Sequence, residues 1–450
     1  MFVGRNKELE ILRRRYDSDQ FEFGILHGRR RVGKTTLIKE SIKGYRSLYF
    51  ACPQANASTI LDHLSATYAK FKGLPRFRFD QLEDLLDLLF VEDRLIIIFD
   101  EFTYLTQSDN SAESVFQHSI DKHSITSNVK LLVSGSEVGM YENLFSVSKP
   151  LYNRQTFQLK IEECDYYEAS LYVPHYDVFD KIRTYAVFGG LPFYLARLND
   201  QKTLRENIES LVIHPSAAFS DEVYMMVSSE LRSVSEYQSV LQALASGNTS
   251  LSTIDSQSHV NSTDRTAKIL SRLIAMGIVD KEVRFLDRPN STKTLYRIQN
   301  NFLCFYYQFI WRNATARATL ESSEFFDMFI RDDLEFYVSK RFETICKQYL
   351  LRHFHSQTKE AIREIGRYWL HDKVQKKEYE IDLCVEGTKH RYAFECKWSI
   401  HPVGNSIVRE LYAKGKEIHA DRFGVFSKSG VTAEFDSGCD VFMPADLFSI

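Results

Sequence analysis

Five short apolar runs alternate with amphipathic segments in the first 165 residues. The segments between the runs follow a helical period, whereas the runs are rich in β-branched and aromatic residues. Continuous apolar strands separated by helices are typical of a parallel sheet that is covered on both faces. The pattern predicts an α/β domain over residues 1–165, with strands in FGILHG (23–28), SLYFAC (47–52), RLIIIFDE (94–101), VKLLVSGS (129–136) and RQTFQLKI (154–161).

The next 135 residues are mostly helical in pattern. Residues 166–230 predict a helical lid, in which Gly189 and Gly190 end one helix and Pro192 starts the next. Residues 231–300 contain three helical stretches and then two short strand patterns, IVDKEVRF (278–285) and KTLYRIQN (293–300), around a polar loop. Three helices and a β-wing predict a winged helix-turn-helix.

The last 150 residues divide into a connector and a further domain. Residues 301–335 are helical and aromatic-rich, which predicts a connector packed between domains. From about residue 336 to residue 450 the predicted order is helix, three strands, helix, strand. The whole chain is therefore expected to be an α/β protein of several domains, since 450 residues exceed a single core.

Composition limits the classes of function. The chain has a net charge of −3, 44% hydrophobic and 26% charged residues, so nucleic-acid binding would have to come from local basic patches. Seven cysteines without a CxxC pair predict reduced thiols and no zinc site. No apolar leader or membrane-length run is visible, and a cytoplasmic location is expected.

A glycine-rich loop follows the first strand and opens a helix. Its glycines let backbone N–H groups wrap phosphates, and the helix dipole favours anions there. Lys34 is placed for the β- and γ-phosphates and Thr35 for Mg²⁺. The sequence therefore predicts a P-loop for ATP, formed by Gly28, Arg29, Arg30, Arg31, Val32, Gly33, Lys34, Thr35 and Thr36.

Acidic and hydroxyl residues end two later strands. Asp100 is predicted to hold Mg²⁺ through water, and Glu101 to polarise the attacking water, although the pair could simply cap a strand. Ser134, with Gly135 and Ser136, is predicted to sense the γ-phosphate or orient that water, and a plain turn is the alternative. One extra strand, SLYFAC, is expected to lie between the phosphate loop and the acid strand, the order of ATPases that insert a strand between the two and carry a catalytic glutamate.

These motifs together resemble the archaeal-type ATPase family of the AAA+/STAND group. The resemblance covers about the first 200 residues and rests on FVGRNKELEIL, GRRRVGKTTLI, LIIIFDE, LLVSGSEVGM, PLYNRQTFQLKI and FGGLPFYL in the same order. It implies that Gly4 and Arg5 lie near the nucleotide base and that Arg154 approaches the γ-phosphate. Relatives have a glycine where this chain has Asn153, and either arginine could instead be a surface residue. Action of Arg154 on a neighbouring subunit would require a homo-oligomer.

The third helix of the predicted winged helix carries exposed cations. Ser262 or Thr263 is expected to cap it. Arg265, Lys268 and Arg272 recur on one face, opposite an apolar face of Ile269, Leu270, Leu273, Ile274 and Met276. The cations could contact DNA phosphates or bases, or form an ordinary solvated face.

Two carboxylates and a lysine lie on adjacent strands of the C-terminal region. Asp382 leaves its strand on the face opposite to Ile381 and Leu383, while Glu395 and Lys397 share a face of the next strand. With a backbone carbonyl, the two acids could hold Mg²⁺, and Lys397 could lower the pKa of a bound water or stabilise charge in the transition state. Glu343, within an apolar helix, could complete the shell or bind a second metal. A surface hairpin with charged residues is the alternative.

The order of elements around FECKW resembles the PD-(D/E)xK nuclease superfamily, and also the domain of unknown function that commonly ends archaeal-type ATPases. This implies a restriction-endonuclease-like fold with a metal site at Asp382, Glu395 and Lys397. Phe394 replaces the glycine that relatives carry before the central glutamate.

The sequence as a whole predicts an ATP- and Mg²⁺-dependent protein that acts on DNA through the winged helix and a nucleotide-gated nuclease-like domain. The alternative is a signalling or scaffold ATPase in which the same domains bind DNA or protein without cleavage.

Overall fold

The computed structural model describes residues 2–135, 144, 146–230, 234–288, 291, 294–372, 377–436 and 438–449. The chain forms two compact units. The N-terminal unit comprises Met1–Glu163 with Leu191–Phe193, and the C-terminal unit comprises Cys164–Gly190 with Tyr194–Ile450. The regions predicted from the sequence as lid, winged helix, connector and C-terminal domain thus belong to the second unit, except for residues 191–193 of the lid.

The N-terminal unit is built on a five-stranded parallel sheet, and the predicted parallel sheet is confirmed. Its order is β2-β3-β4-β1-β5. The strand between the P-loop strand β1 and the acid strand β3 is therefore β4, while β2 lies at the edge. The strands are β1 (Glu22–His27), β2 (Ser47–Ala51), β3 (Ile96–Asp100), β4 (Lys130–Gly135) and β5 (Phe157–Lys160).

Helices cover this sheet. The interior strands β1 and β3 are buried along their whole length, as their continuous apolar sequences require, and β4 is buried up to its last residue. Phenylalanines such as Phe50, Phe99 and Phe116 pack with leucines of the helices into one core cluster. The helices are α1 (Asn6–Tyr16), α2 (Lys34–Ser41), α3 (Ala57–Lys72), α4 (Leu82–Phe90), α5 (Phe102–Ser108) and α6 (Ala112–His123).

Two glycines shape the loop between β1 and α2. Gly33 directly precedes α2 with φ 90°, a left-handed conformation that favours glycine. A Cβ on Gly28 would lie 2.3 Å from the carbonyl oxygen of Ile161, so a side chain there would clash with the backbone. The loop therefore needs glycine at both ends.

The C-terminal unit begins with short helices. Gly189 ends α8 with φ 68°, and Pro192 is the first residue of α9, as the sequence predicted. A π-helical turn, Glu209–Ile213, follows α10. The helices are α7 (Tyr166–Ser170), α8 (Val178–Phe188), α9 (Pro192–Leu195), which starts in the N-terminal unit, α10 (Leu204–Ile208) and α11 (Glu222–Glu230).

Three helices and an antiparallel hairpin follow. The helices are α12 (Val234–Ala245), α13 (Leu251–Ser258) and α14 (Thr263–Ala275), and the hairpin pairs β6 (Val279–Val283) with β7 (Thr294–Ile298). Ser262 is the N-cap residue of α14, but its side chain makes no capping bond. Asp255 of α13 instead holds the start of this helix, because it accepts hydrogen bonds from the Ser262 N–H at 3.0 Å and the Thr266 hydroxyl at 2.6 Å.

An aromatic helical segment leads to the last sheet. Phe302, Phe305 and Tyr307 are fully buried, so this segment forms core. It consists of α15 (Asn301–Phe305), a π-helix (Tyr306–Ile310), a 3₁₀ turn (Trp311–Asn313), α16 (Ala314–Thr319) and α17 (Ser322–Phe329).

The C-terminal sheet is mixed, with the order β12-β11-β10-β9-β8. The pairs from β8 to β10 are antiparallel and those from β10 to β12 are parallel. The predicted helix, three strands, helix and strand are present, and the short strand β12 comes in addition. The elements are α18 (Leu334–Thr358), β8 (Glu364–Asp372), β9 (Lys377–Glu386), β10 (Arg391–Lys397), α19 (Asn405–Gly415), β11 (Arg422–Ser427) and β12 (Asp440–Phe442).

A β-bulge interrupts β9 at Asp382. Gly366 pairs with Cys384 and Tyr368 with Ile381, so β9 has one residue more than β8 between these pairs. A bulge turns a side chain away from its regular direction. Accordingly, the Asp382 carboxylate accepts the backbone N–H of Cys396 on β10 at 2.8 Å.

Among the described residues, no helix combines the length and hydropathy needed to cross a membrane.

Candidate functional sites

Lys34 lies in the first turn of α2 with its side chain folded over the preceding loop. Its Nζ donates to the carbonyl oxygens of Gly28 at 2.8 Å and Arg29 at 3.0 Å, and the side chain is buried. Val32 is buried and Thr36 exposed. The loop thus holds the Lys34 side chain against its own backbone, the part of the loop that the motif predicts to bind phosphate.

The three arginines of the loop have contacts with other parts of the N-terminal unit. Arg29 forms a 2.8 Å ion pair with Glu163. Arg31 has φ 71°, and its guanidinium lies 4.3 Å from the ring centroid of Phe193. These side chains fix the outside of the loop.

Arg30 is exposed, and its Nη2 donates to the hydroxyl of Tyr104 on α5 at 3.2 Å. This bond joins the loop to the helix that follows the acid strand.

Asp100 at the end of β3 is the centre of a hydrogen-bond network. Its Oδ2 accepts the hydroxyl of Thr35 at 2.7 Å and also the hydroxyl of Tyr49. Its Oδ1 accepts the hydroxyl of Ser134 and the backbone N–H of Glu101 at 3.1 Å. Both oxygens are therefore held, and the predicted residues Thr35, Asp100 and Ser134 are brought together. Ser136 lies outside the described residues.

Glu101 follows Asp100 in a left-handed conformation, with φ 55°, and precedes α5. Non-glycine residues adopt this conformation uncommonly, and it often marks functional positions. Its backbone N–H lies 3.4 Å from the Ser134 hydroxyl oxygen.

Arg5 is buried against the P-loop. Its guanidinium donates to the carbonyl oxygens of Val32, at 3.2 Å, and Glu162, and pairs with Glu8 at 3.0 Å. Gly4 before it has φ 70°. This arginine ties the start of the chain to the loop.

Arg154 makes a two-pronged ion pair with Asp121 of α6, at 2.8 and 2.9 Å. The hydrogen bonds from this guanidinium hold the pKa of the Asp121 carboxyl below its usual value. Asn153 before it has φ 59°, a conformation in which glycine is ordinarily found. An approach to a γ-phosphate would require Arg154 to leave Asp121, so that role stays a prediction.

Asp382, Glu395 and Lys397 converge in the C-terminal unit. Lys397 Nζ donates to Glu395 Oε1. Burial, followed by the charge of Asp382, raises the pKa of Glu395, whereas Lys397 opposes this rise. Burial lowers the pKa of Lys397, but the charges of Glu395 and Asp382 outweigh it, so that this pKa is raised.

Glu395 has one oxygen without a protein partner. The residue is 6% exposed, and its Oε2 is buried without a hydrogen bond. A buried carboxylate oxygen without a donor is costly unless a cation or water satisfies it. The donor set of two carboxylates therefore fits a hard cation such as Mg²⁺.

Glu343 of α18 does not join this pair. Its carboxylate pairs with Arg367 of β8, and Arg297 of β7 lies 3.9 Å from it. Within the described part of the chain, no three His, Cys, Asp or Glu side chains come together as a metal-binding group. The two arginines hold Glu343, and a ligand role would require it to leave them.

The β6–β7 hairpin is joined to the C-terminal sheet. Phe285 after β6 is 1% exposed and packs in one core cluster with Ile381 and Cys384 of β9. Its N–H donates to the carbonyl oxygen of Arg367 at 2.8 Å. The end of the predicted wing is thus part of the sheet's core.

The predicted cations of α14 differ in their contacts. Arg265 forms an ion pair with Glu236 of α12 at 2.7 Å, whereas Lys268 and Arg272 are exposed. Ile269, Leu270, Leu273 and Met276 are buried, as expected of the apolar face.

Comparison with known families decides the nature of the N-terminal region. Residues 2–198 match the family described as an ATPase domain predominantly from Archaea. This region is an archaeal-type ATPase domain. Residues 306–407 match a second family, described as "Archaea bacterial proteins of unknown function". The chain is therefore an ATP-binding P-loop ATPase with a C-terminal domain of that second family.

Individual relatives agree with this assignment. The chain is similar to an uncharacterised protein of Methanocaldococcus jannaschii, with 27% identity over 94% of both chains. It is 51% identical, over 10% of its length and 73% of the other chain, to an uncharacterised ATP-binding protein of the same organism. A Walker-type ATPase of Pyrococcus abyssi shares the fold, with a TM-score of 0.50 and 18% identity over 68% of this chain and 96% of that one.

The archaeal-type ATPase domain has one site residue that the sequence did not reveal. Tyr49 lies on the edge strand β2 and donates to Asp100 of the neighbouring strand β3. Burial, and then the hydrogen bond to Asp100, raises the pKa of Tyr49 well above its usual value, so it stays a donor. Its only sequence signal is a polar tip within the apolar run SLYFAC.

Proposed function

We propose that the archaeal-type ATPase domain uses Mg²⁺ for ATP hydrolysis and that the C-terminal domain is a metal-dependent nuclease acting on DNA under control of the bound nucleotide. The nuclease proposal rests on the convergence of Asp382, Glu395 and Lys397, with a buried oxygen on Glu395 that has no hydrogen-bond partner.

In the ATPase domain, backbone N–H groups of the P-loop and Lys34 bind the phosphates. Thr35 and Asp100 would hold the ion, which would supply positive charge against the negative charge that develops on the phosphates. Glu101 accepts the proton of the attacking water, and Ser134 orients that water. The 2.7 Å hydrogen bond from Thr35 to Asp100 supports the metal-holding role of both residues, because it already places their oxygens side by side.

In the C-terminal domain, Asp382 and Glu395 with a backbone carbonyl hold the metal ion. Lys397 stays protonated beside them and stabilises negative charge on the scissile phosphate. The raised pKa of Lys397 supports this role. The exposed Lys268 and Arg272 of α14 contribute phosphate contacts that hold the DNA.

The test compares wild type, Asp382→Ala and Asp440→Asn on single- and double-stranded DNA and RNA, with Mg²⁺ or Mn²⁺ and with or without ATP. Asp440 is an exposed carboxylate on β12 of the same sheet and serves as the matched control. We expect DNA cleavage by wild type and Asp440→Asn, and a loss of roughly 100-fold or more in Asp382→Ala. Equal cleavage by Asp382→Ala, or none by any protein, would rule out the nuclease.

A signalling or scaffold ATPase that binds DNA or protein without cutting is the second candidate. The engagement of Glu343 by Arg367 favours it, since two carboxylates remain where a fuller ligand set was expected. Under this alternative the wild type binds DNA in a gel-shift assay but leaves every substrate intact.

A further inference from the structure

Three hydroxyl groups from three different elements donate to the carboxylate of Asp100. They belong to Thr35 in the first turn of α2, Ser134 at the end of β4 and Tyr49 in β2. The P-loop motif accounts for Thr35, and the strand-end position accounts for Ser134. Neither the motif nor the proposed function so far gives Tyr49 a task.

The edge strand β2 carries Tyr49 to this position. β2 pairs in parallel with β3, with Tyr49 beside Ile98 and Ala51 beside Asp100. The phenol therefore reaches along the sheet to the end of the neighbouring strand. The Lys39 ammonium lies 5.4 Å from the ring centroid of Tyr49 and covers the ring.

Without such donors a carboxylate rotates readily about its terminal torsion, because that torsion is broad and roughly two-fold. The Ser134 hydroxyl and the Glu101 N–H hold Oδ1, and the Thr35 and Tyr49 hydroxyls hold Oδ2. Thr35 also belongs to the proposed metal-holding pair. Tyr49 is the donor on Oδ2 that has no such second role.

We propose that Tyr49 is a positioning residue of the ATPase site, which fixes the orientation of the Asp100 carboxylate toward the metal ion that accompanies ATP. The inference rests on the Mg²⁺ dependence in the proposed function. Tyr49 acts through Asp100, to which its hydroxyl donates. Its removal is expected to weaken metal binding while the phosphate contacts of the loop stay intact.

The test uses Tyr49→Phe in the full chain, with Tyr45→Phe as the matched control. Tyr45 also donates its hydroxyl to a carboxylate, that of Asp17 at 3.0 Å, outside the P-loop and the Asp100 network. Mn²⁺ binding is titrated by electron paramagnetic resonance with and without a non-hydrolysable ATP analogue. The difference between the two titrations isolates the nucleotide-dependent ion from any ion bound at the C-terminal pair.

We expect the dissociation constant of the nucleotide-dependent Mn²⁺ to rise roughly tenfold in Tyr49→Phe, as for the loss of one hydrogen bond to a charged group, and to stay unchanged in Tyr45→Phe. Binding of a fluorescent ADP in EDTA should be equal in all three proteins, which also verifies that the site is folded. ATP turnover by Tyr49→Phe should recover at high Mg²⁺, so that the defect is one of metal affinity.

Equal Mn²⁺ affinity in Tyr49→Phe and wild type would overturn the role of Tyr49 alone. A loss of nucleotide binding in EDTA would also overturn it, since the residue would then support the loop as a whole. If the wild type itself needed no divalent ion, the Mg²⁺ part of the proposed function would fall, and the inference with it.

Discussion

Asp100 and Glu395 are both buried carboxylates, yet their surroundings differ in kind. Asp100 accepts hydrogen bonds at both oxygens from groups on four segments of the N-terminal unit. Glu395 pairs with Lys397 through one oxygen and has no partner for the other. The orientation of the Asp100 carboxylate is therefore fixed by its donors. The buried Glu395 carboxylate, with one oxygen unpaired, favours a cation beside it.

Sequence motifs revealed those residues whose roles follow from neighbours along the chain. Lys34 and Thr35 belong to a continuous motif, and Asp100 ends an unmistakable apolar run. Tyr49 escaped because its role depends on the pairing of β2 with β3. The ion pair of Glu343 with Arg367 was likewise not predicted, because it depends on the folded structure and 24 positions separate the two residues in the chain.

The raised pKa of Glu395 predicts that metal binding at the C-terminal pair weakens as the pH falls. Burial keeps the protonated form of Glu395 present to a higher pH than in an exposed glutamate, and a metal ligand must be ionised. Below the raised pKa, Mn²⁺ affinity should drop by up to about tenfold per pH unit, as for one proton displaced. Calorimetric titration of the nucleotide-free protein at several pH values measures this dependence.

The raised pKa of Glu395 also makes the stability of the metal-free protein depend on pH. Because the folded state binds this proton more tightly than the unfolded state, the contribution of Glu395 in metal-free protein is most favourable at low pH and is lost as the pH rises through the raised pKa. A Mn²⁺ affinity that stays constant from neutral to mildly acidic pH would contradict the assignment of Glu395 as a ligand.

At the scale of elements, apolar runs predicted strands well and local chemistry predicted helix ends less well. All five runs of the N-terminal region are strands, and the interior ones β1 and β3 are apolar throughout because both of their faces are buried. β12 was missed because three residues carry no periodic pattern. Asp255 on the preceding helix holds the start of α14, and a search within the helix's own first residues does not find this contact.

The join between the β6–β7 hairpin and the C-terminal sheet predicts that Phe285→Ala destabilises the C-terminal unit. Phe285 is 1% exposed among residues of β9 and β10, so its truncation should cost about 3–5 kcal/mol of unfolding free energy. All three tryptophans, Trp311, Trp369 and Trp398, lie in this unit. Urea unfolding followed by tryptophan fluorescence therefore measures it selectively.

The neighbouring Leu286→Ala is the matched control, because Leu286 is 43% exposed. It should change the unfolding free energy by less than about 0.5 kcal/mol. Nucleotide binding by the N-terminal unit should be unaffected in both variants. Equal stability of Phe285→Ala and Leu286→Ala would show that the hairpin contributes little to the core.

At the scale of the whole molecule, the nucleotide site and the candidate cutting site lie in different units. The proposed control of one by the other predicts that ATP changes the rate of DNA cleavage in wild type but not in Lys34→Ala, which lacks the cation that binds the phosphates. Glu101→Gln should bind ATP, hydrolyse it roughly 100-fold or more slowly, and keep the cleavage rate of the ATP-bound state.

Cleavage rates with and without ATP, measured beside ATP turnover, test this control. Arg14→Ala removes an exposed cation of α1 and should behave as wild type. If ATP still changed the DNA cleavage rate of Lys34→Ala, nucleotide binding at the P-loop would not control cleavage.

The core position of Phe285 also governs how the protein can be divided. The second family match covers residues 306–407, which leaves out Phe285 as well as β11 and β12. A fragment cut at those limits would expose the core face that Phe285 covers and leave β10 as an open sheet edge, and such edges pair with other chains. Fragments that begin at Cys164 and extend through β12 keep the C-terminal unit whole, so those are the pieces expected to remain monodisperse when expressed alone.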